Sequence, residues 1–370
     1  MLQGKNKLIS IISLMVFALA HSNIAHSVTT GKIVTAIAEA IIHPPRLGHN
    51  VPIEVLRKLS PYCLMPLNAY VGLRKIRLSA LVVNPAANVK KTGVANTRAT
   101  CSIRDIANVP TSATMVMLPG IEMPKSALLP YANFFATLGV RCILIDLRGQ
   151  GSSGGKNIGL LVKDVSDMRS LISQLRAKRL ISGNLGLFGL SYGAAVALDL
   201  AAYEPKIALV ISVAPFSRTA EAMKKFISNY DPKLLRNVDA EEWEEVVNRV
   251  NALVDLDLAK GNPIRRVGFI KAFVFYIGGA NDSISPPQAI IKLAGLTPER
   301  SILIAQNRDH LGITSDWQLV TSASDQYVEQ YLLHNKNKMN GASPLLKPRR
   351  DAVGGTEGKF SYREMVTRQL

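Results

Sequence analysis

The chain has 370 residues, 48% of them hydrophobic, which is ample for one large core, and a formal net charge of +17. The basic residues are spread along the chain and form no stripe interleaved with aromatics, which argues against nucleic acid as a partner; attraction to an anionic membrane or envelope surface is compatible with the charge. Three cysteines, Cys63, Cys101 and Cys142, are too few and too odd in number for a disulfide framework.

Residues 1–20 read as an export signal. Lys5 and Lys7 precede an apolar core at residues 8–19, and Ala18-Leu19-Ala20 supplies a small-x-small cleavage pattern. The core is shorter than a spanning helix needs, so the expectation is a periplasmic or secreted protein, with an uncleaved membrane anchor as the alternative. Residues 21–73 form an N-terminal extension with no evident chemistry. Within it, residues 29–42 are predicted to be an amphipathic helix stopped by Pro44-Pro45. His43 and His49 flank that turn without a further ligand nearby and read as surface residues. The sequence leaves open whether Cys63 and Cys101 pair. Cys142 lies in an apolar run and reads as a buried small hydrophobe.

Residues 74–83 predict a strand, ended by Asn84-Pro85. Polar residues 86–110 predict a loop and a second edge strand, both strands on the antiparallel side of a mixed sheet. From residue 114 apolar runs alternate with helices. Strands are expected at 114–118, 141–145, 185–190, 207–214, 272–277 and 301–305, and helices at 127–138, 160–178, 194–203, 287–294 and 315–333. The runs are continuously apolar, so both faces of the sheet are covered and the sheet is parallel. In residues 160–178, Leu161, Val165, Met168, Leu171, Ile172 and Leu175 recur near the helical period.

Residues 216–266 break the alternation. They are helical and charged, with the acidic patch Glu241-Glu242-Trp243-Glu244-Glu245, and read as a lid over the carboxyl edge of the sheet. Phe216, Met223, Phe226 and Trp243 in this segment read as packing residues. Residues 335–370 lack periodicity and hold Gly354-Gly355 and an excess of Lys and Arg, the pattern of a disordered basic tail.

The chemistry centres on Gly189-Leu190-Ser191-Tyr192-Gly193, between a predicted strand and a helix rich in small residues. A serine at such a corner is lifted above the sheet edge, and the flanking glycines allow a strained backbone. Ser191 needs a base, and only His310 and His334 follow it. His334 ends the last helix, whereas His310 lies in a loop directly after a strand. The acid is found by the same elimination. Asp199 is mid-helix, Asp231, Asp239, Asp255 and Asp257 fall in the insertion, and Asp309 adjoins the base. Asp282, in Gly279-Ala280-Asn281-Asp282, combines a strand end with the chain order Ser, acid, His. The backbone N–H of Tyr192 and that of Ile121, after Pro119-Gly120, are the candidate oxyanion donors. The sequence contains no metal cluster, dinucleotide fingerprint or phosphate loop, so neither a cofactor nor a metal is expected.

These features resemble the α/β-hydrolase superfamily over about residues 74–333. The marks are Pro119-Gly120 after a strand, the Asp146-x-Arg148-Gly149-x-Gly151-x-Ser153 turn, the GLSYG corner, Gly279-x-x-Asp282-x-x-x-Pro286-Pro287, and Asp309-His310. The resemblance implies an α/β fold with a mostly parallel central sheet, helices on both faces and a helical insertion, the hydrolase domain spanning residues 74–334. It places the Asp146 turn behind the active site in a structural role. Many members carry His-Gly where this chain has Pro119-Gly120. The implied activity is that of an exported serine hydrolase acting on a small-molecule acyl substrate, most simply a carboxylesterase. A peptidase, thioesterase or acyltransferase on the same triad and a non-catalytic binding member are the alternatives. The sequence sets neither the substrate nor the oligomeric state.

Overall fold

β3 (Ala113–Leu118) and β4 (Val140–Ile145) are buried at every residue, as expected of runs with no polar alternation. They sit inside one eight-stranded sheet with the order β1-β2-β4-β3-β5-β6-β7-β8. The others are β1 (Cys63–Val71), β2 (Ile76–Asn84), β5 (Asn184–Leu190), β6 (Ile207–Val213), β7 (Phe273–Gly279) and β8 (Arg300–Ala305). β2 is antiparallel to both its neighbours, and every pairing from β4 to β8 is parallel. The computed structural model describes residues 30–46, 51–85, 103–107, 111–230, 232, 235 and 238–333. The expected export signal, His49, Cys101, His334 and the basic tail lie outside them.

The edge strand beside β2 is β1, from the stretch assigned to the N-terminal extension, which therefore supplies part of the sheet. Of residues 86–110, where a second edge strand was expected, only 103–107 are described and they are helical; the rest lie outside the described residues. β1 pairs with β2 over its whole length, from Cys63↔Asn84 to Val71↔Ile76. Pro66, Asn68 and Tyr70 interrupt its apolar pattern, which an edge strand tolerates because its outer side faces water.

Helices cover both faces. They are α1 (Thr30–Ile42), α2 (Ile53–Lys58), α3 (Ile103–Ala107), α4 (Leu129–Thr137), α5 (Val162–Ala177), α6 (Tyr192–Tyr203), α7 (Thr219–Tyr230), α8 (Ala240–Val254), α9 (Pro287–Leu296), α10 (His310–Ser315) and α11 (Trp317–Tyr327). One apolar cluster joins α1, α5, α6 and α8 to one face of the sheet, and a second joins α2, α4 and α11 to the other. α7 and α8 form the insertion. α1 lies along α8, and Ile37, Ile41, Val246 and Val250 are buried in the same cluster. The extension thus holds the insertion against the body. It is tied down further by His43 Nε2 to Asn157 Oδ1 at 2.8 Å and by the Arg46 guanidinium donating to the Ser153 carbonyl at 2.9 Å. Phe216 and Met223 are buried in the core, and Trp243 packs against it with Lys224 over its ring.

Cys63 is disulfide-bonded and Cys142 is free and buried; the remaining cysteine of the chain is Cys101. Arg141, fully buried at the start of β4, donates to Asn84 Oδ1 and to the Leu180 and Ile106 carbonyls, and so knits the bottom of the sheet.

α6 approaches the sheet more closely than side chains allow. A Cβ on Gly193 would overlap the carbonyl oxygens of Leu118 and Pro119. Gly193→Ala is therefore expected to cost at least about 1–3 kcal/mol of stability in chemical denaturation, the scale of overpacking a tight site; wild-type stability would contradict this close approach.

Candidate active site

The strand order reverses at β3. The chain passes from β3 to β4 on one side and then to β5 on the other, so the loops leaving β3 and β5 diverge and leave a crevice at their carboxyl ends. Register sets Leu118 opposite Gly189. This brings Pro119-Gly120-Ile121 beside Leu190-Ser191-Tyr192. On the same edge, Gly279 lies opposite Ala305, so the loops carrying Asp282 and His310 are also neighbours.

Ser191 is held in a sharp corner. Its φ is +50° and ψ −111°, a region costly for a residue with a Cβ, and it is pinned by its N–H donating to the Val213 carbonyl at 2.8 Å. The corner is possible because Gly189 and Gly193 remove the two Cβ atoms that would meet the backbone on either side. α6 begins at the next residue, and its N-terminal end is electropositive.

The three side chains chosen by elimination meet. Ser191 Oγ lies 2.8 Å from His310 Nε2, and His310 Nδ1 lies 2.8 Å from Asp282 Oδ2. The Asp282 side chain is wholly buried and that of His310 is 12% exposed. Asp282 Oδ1 accepts the N–H groups of Ile284 at 2.9 Å and Ser285 at 2.7 Å. The carboxylate is thereby fixed with its other oxygen aimed at the imidazole. Ser285 Oγ donates to the Ala214 carbonyl, which ties this turn to the end of β6. Asp309 takes no part in the line; it caps α10 by accepting from Gly312 N–H at 2.7 Å.

The two candidate oxyanion donors are the N–H groups of Tyr192 and Ile121. Tyr192 is the first residue of α6, where backbone N–H groups have no helical partner. Ile121 sits in a turn closed by Met123 N–H to the Gly120 carbonyl. The Asp146 turn holds this loop in place. Asp146 accepts from Lys125 N–H and Lys125 Nζ, each at 2.6 Å, and Gln150 Oε1 accepts from Glu122 N–H at 3.1 Å. The turn therefore fixes the Ile121 loop from behind. Glu122 and Gln150 were not singled out by sequence reasoning, and a left-handed Glu122 (φ +64°) carries no sequence signal.

Nor was Asp164, which is fully buried on the first turn of α5 and accepts the Tyr192 hydroxyl at 2.5 Å. Burial pushes the carboxyls of Asp164, Asp199 and Glu122 up to about 7. The sign of the effect on stability follows. Between about pH 4, where these groups ionise in the unfolded chain, and about pH 7, the folded state retains protons that the unfolded state has lost. Stability is expected to fall as pH rises through that window and then level off, and Asp199→Asn to flatten part of the slope. Denaturant unfolding at pH 5, 6, 7 and 8 measures this; stability rising over the window would contradict it.

Among the described residues no group of three or more His, Cys, Asp or Glu side chains is placed to hold a metal ion, and no helix is long and apolar enough to cross a membrane.

Residues 72–248 match the family described as X-Pro dipeptidyl-peptidase (S15 family). The chain is 33% identical over 105 residues to the polyketide transferase grgF of a Penicillium species, and 29% identical over 111 residues to the acyltransferase drtE of Aspergillus calidoustus. Those stretches cover 27% and 28% of this chain and 36% and 35% of the two relatives, so the chain spans about a third of the length of the curated relatives it matches. Its fold is similar to that of the Pyrococcus furiosus esterase Pf2001, with a TM-score of 0.58 and 16% identity over 79% of this chain and 98% of that one. It is also similar to the alpha/beta hydrolase GrgF from Penicillium sp. sh18, with a TM-score of 0.53 and 17% identity over 73% and 99%.

Proposed function

We propose that this chain is a member of the α/β-hydrolase superfamily and a serine hydrolase that cleaves a carboxylic ester, or a related acyl bond, through an acyl-enzyme; the family match at residues 72–248 and the likeness of the fold to an esterase and an alpha/beta hydrolase support it. The observation that carries the reading is the unbroken hydrogen-bonded line from Ser191 through His310 to Asp282. His310 takes the Ser191 proton as Oγ attacks the acyl carbonyl, and Asp282 stabilises the imidazolium and fixes its tautomer. The N–H groups of Tyr192 and Ile121 receive the oxyanion. His310 then returns the proton to the leaving alkoxide, and a water molecule, activated in turn by His310, releases the acid.

A second reading is acyl transfer, in which an alcohol replaces water; it is favoured by the likeness to a polyketide transferase and an acyltransferase. A third is peptide cleavage, suggested by the family matched at residues 72–248. Turnover of p-nitrophenyl esters of graded chain length, beside peptide anilides and with added alcohol acceptors, separates the three. Ester hydrolysis insensitive to added alcohol, with no anilide cleavage, is expected. Cleavage of anilides alone would favour the peptidase, and product formed only with the alcohol present the transferase.

Three further parts belong to this proposal. The insertion at residues 216–266 acts as a lid, supported by Ser283 Oγ donating to Asn229 Oδ1 at 2.9 Å, which joins the end of α7 to the turn holding Asp282. Export to an oxidising compartment is supported by the disulfide at Cys63. Attraction to anionic envelope surfaces is supported by the charge of +17.

A further inference from the structure

Tyr192 does two things at once. Its backbone N–H is a candidate oxyanion donor, and its side chain is buried to 1% exposure on the far side of the corner. There the hydroxyl donates to Asp164 Oδ2 at 2.5 Å and accepts from Leu161 N–H at 3.1 Å. Leu161 N–H is shared with Asp164 Oδ2, also at 3.1 Å. The ring lies 6.4 Å from that of Phe216, the residue that opens the insertion.

This arrangement is costly to build. Asp164 has no exposed surface, and its second oxygen, Oδ1, is buried without a hydrogen-bond partner. A buried carboxyl left half satisfied lowers stability, and an apolar pair at positions 164 and 192 would avoid the cost. The backbone contributes a second expense. Leu160 and Leu161 adopt φ values of +48° and +65°, strained for residues with a Cβ, and thereby aim the Leu161 N–H at the Tyr192 hydroxyl. Gly159 makes room, since a Cβ there would collide with the Asp164 carboxyl. Strain and an unpaired buried acid concentrated on one residue's side chain point to a positional task for that residue.

We propose that Asp164 is a positioning residue: through the Tyr192 hydroxyl it fixes the Ser191–Tyr192 peptide, so that the Tyr192 N–H faces the developing oxyanion. The proposal rests on the serine-hydrolase reading and extends it. The nucleophile, base and acid do not touch Asp164. Its loss therefore leaves the Ser191–His310–Asp282 line intact and alters only the aim of one donor.

Four variants test it, with a p-nitrophenyl ester as substrate and a trifluoromethyl ketone as the tetrahedral-adduct probe. Tyr192→Phe removes a single oxygen from the core and is expected to lower kcat about 10- to 100-fold, the scale of a small misplacement in a catalytic group. KM should hold within about twofold, because the donor acts in the transition state. The ketone should lose affinity in proportion to kcat. Asp164→Leu should match Tyr192→Phe, and the double variant should be no worse than either, since both act through one contact. Asp164→Asn keeps an acceptor for the hydroxyl and is expected to restore most of kcat. A Tyr192→Phe enzyme with wild-type kcat, or losses in KM alone, would overturn the proposal. Should Asp164→Leu fail to fold, Tyr192→Phe and Asp164→Asn decide it. Wild-type turnover and fluorophosphonate labelling are measured first: if both are absent the parent reading fails and this one with it, whereas an active wild type beside an unaffected Tyr192→Phe refutes the positioning role alone.

Discussion

Ser191→Ala is expected to lower kcat by about a millionfold, leaving only what oxyanion stabilisation and binding supply over water. The size of the effect follows from the geometry. Ser191 Oγ is the atom His310 Nε2 faces at 2.8 Å, on a corner held at φ +50° for that exposure. No second hydroxyl stands in the line. Removing Oγ also relieves nothing that folding depends on, because the corner is pinned by Ser191 N–H to the Val213 carbonyl, a bond alanine keeps. The variant should unfold at the wild-type denaturant concentration. Steady-state assay with an activated ester and a denaturation curve read the two halves of this expectation together. Turnover within tenfold of wild type would remove Ser191 from the chemistry.

The second large effect is expected at Asp282. Asp282→Asn preserves shape, and its side-chain oxygen still accepts from Ile284 and Ser285 N–H. What changes is the group presented to the imidazole. The amide NH₂ then occupies the place of Oδ2, 2.8 Å from His310 Nδ1. An N–H facing Nδ1 requires a lone pair there, so the ring carries its proton on Nε2, toward Ser191. In that tautomer it cannot accept the serine proton. A loss of about 10⁴ in kcat is expected, the scale of holding the base in the wrong tautomer. Raising the pH should recover part of the rate, because a more basic solution ionises the serine without the imidazole. A kcat reduced less than tenfold, measured on the same ester, would show that another group orients His310.

How much of this was legible in the chain differs by element. β3 to β7 were readable because strands covered on both faces are apolar almost throughout, and this pattern needs no tertiary knowledge. The triad positions were readable because a parallel sheet delivers its strand-following loops to one edge, which left few candidates for base and acid. β1 was not readable. An edge strand has one side in water, and Pro66, Asn68 and Tyr70 look like loop residues until Val71 is seen opposite Ile76. Nor was the seat of α1: its apolar face is evident in the sequence, but its partner, α8, lies some two hundred residues away. Asp164 was the hardest. On a predominantly polar helix an aspartate reads as solvated, and its burial depends on the space left by Gly159 and on the left-handed Leu160 and Leu161, which carry no sequence signal. Glu122 and Gln150 escaped for a similar reason, since their link is a backbone N–H meeting a side-chain oxygen across 28 residues.

The insertion carries a similar lesson. Its charge pattern separates it from the alternating core, and the structure adds how it is attached. Val246 and Val250 are buried with residues of α1, and Thr219 N–H donates to Asn262 Oδ1 at 2.8 Å.

The account stands on an activated Ser191 hydroxyl, and covalent trapping reads it most directly. The wild-type protein is treated with a fluorophosphonate probe at neutral pH and the adduct is mapped by peptide mass spectrometry. One adduct per chain on Ser191 is predicted, absent in Ser191→Ala and slowed by orders of magnitude in His310→Ala. A folded wild-type protein that stays unlabelled, or that is labelled equally well when Ser191 is alanine, would contradict it.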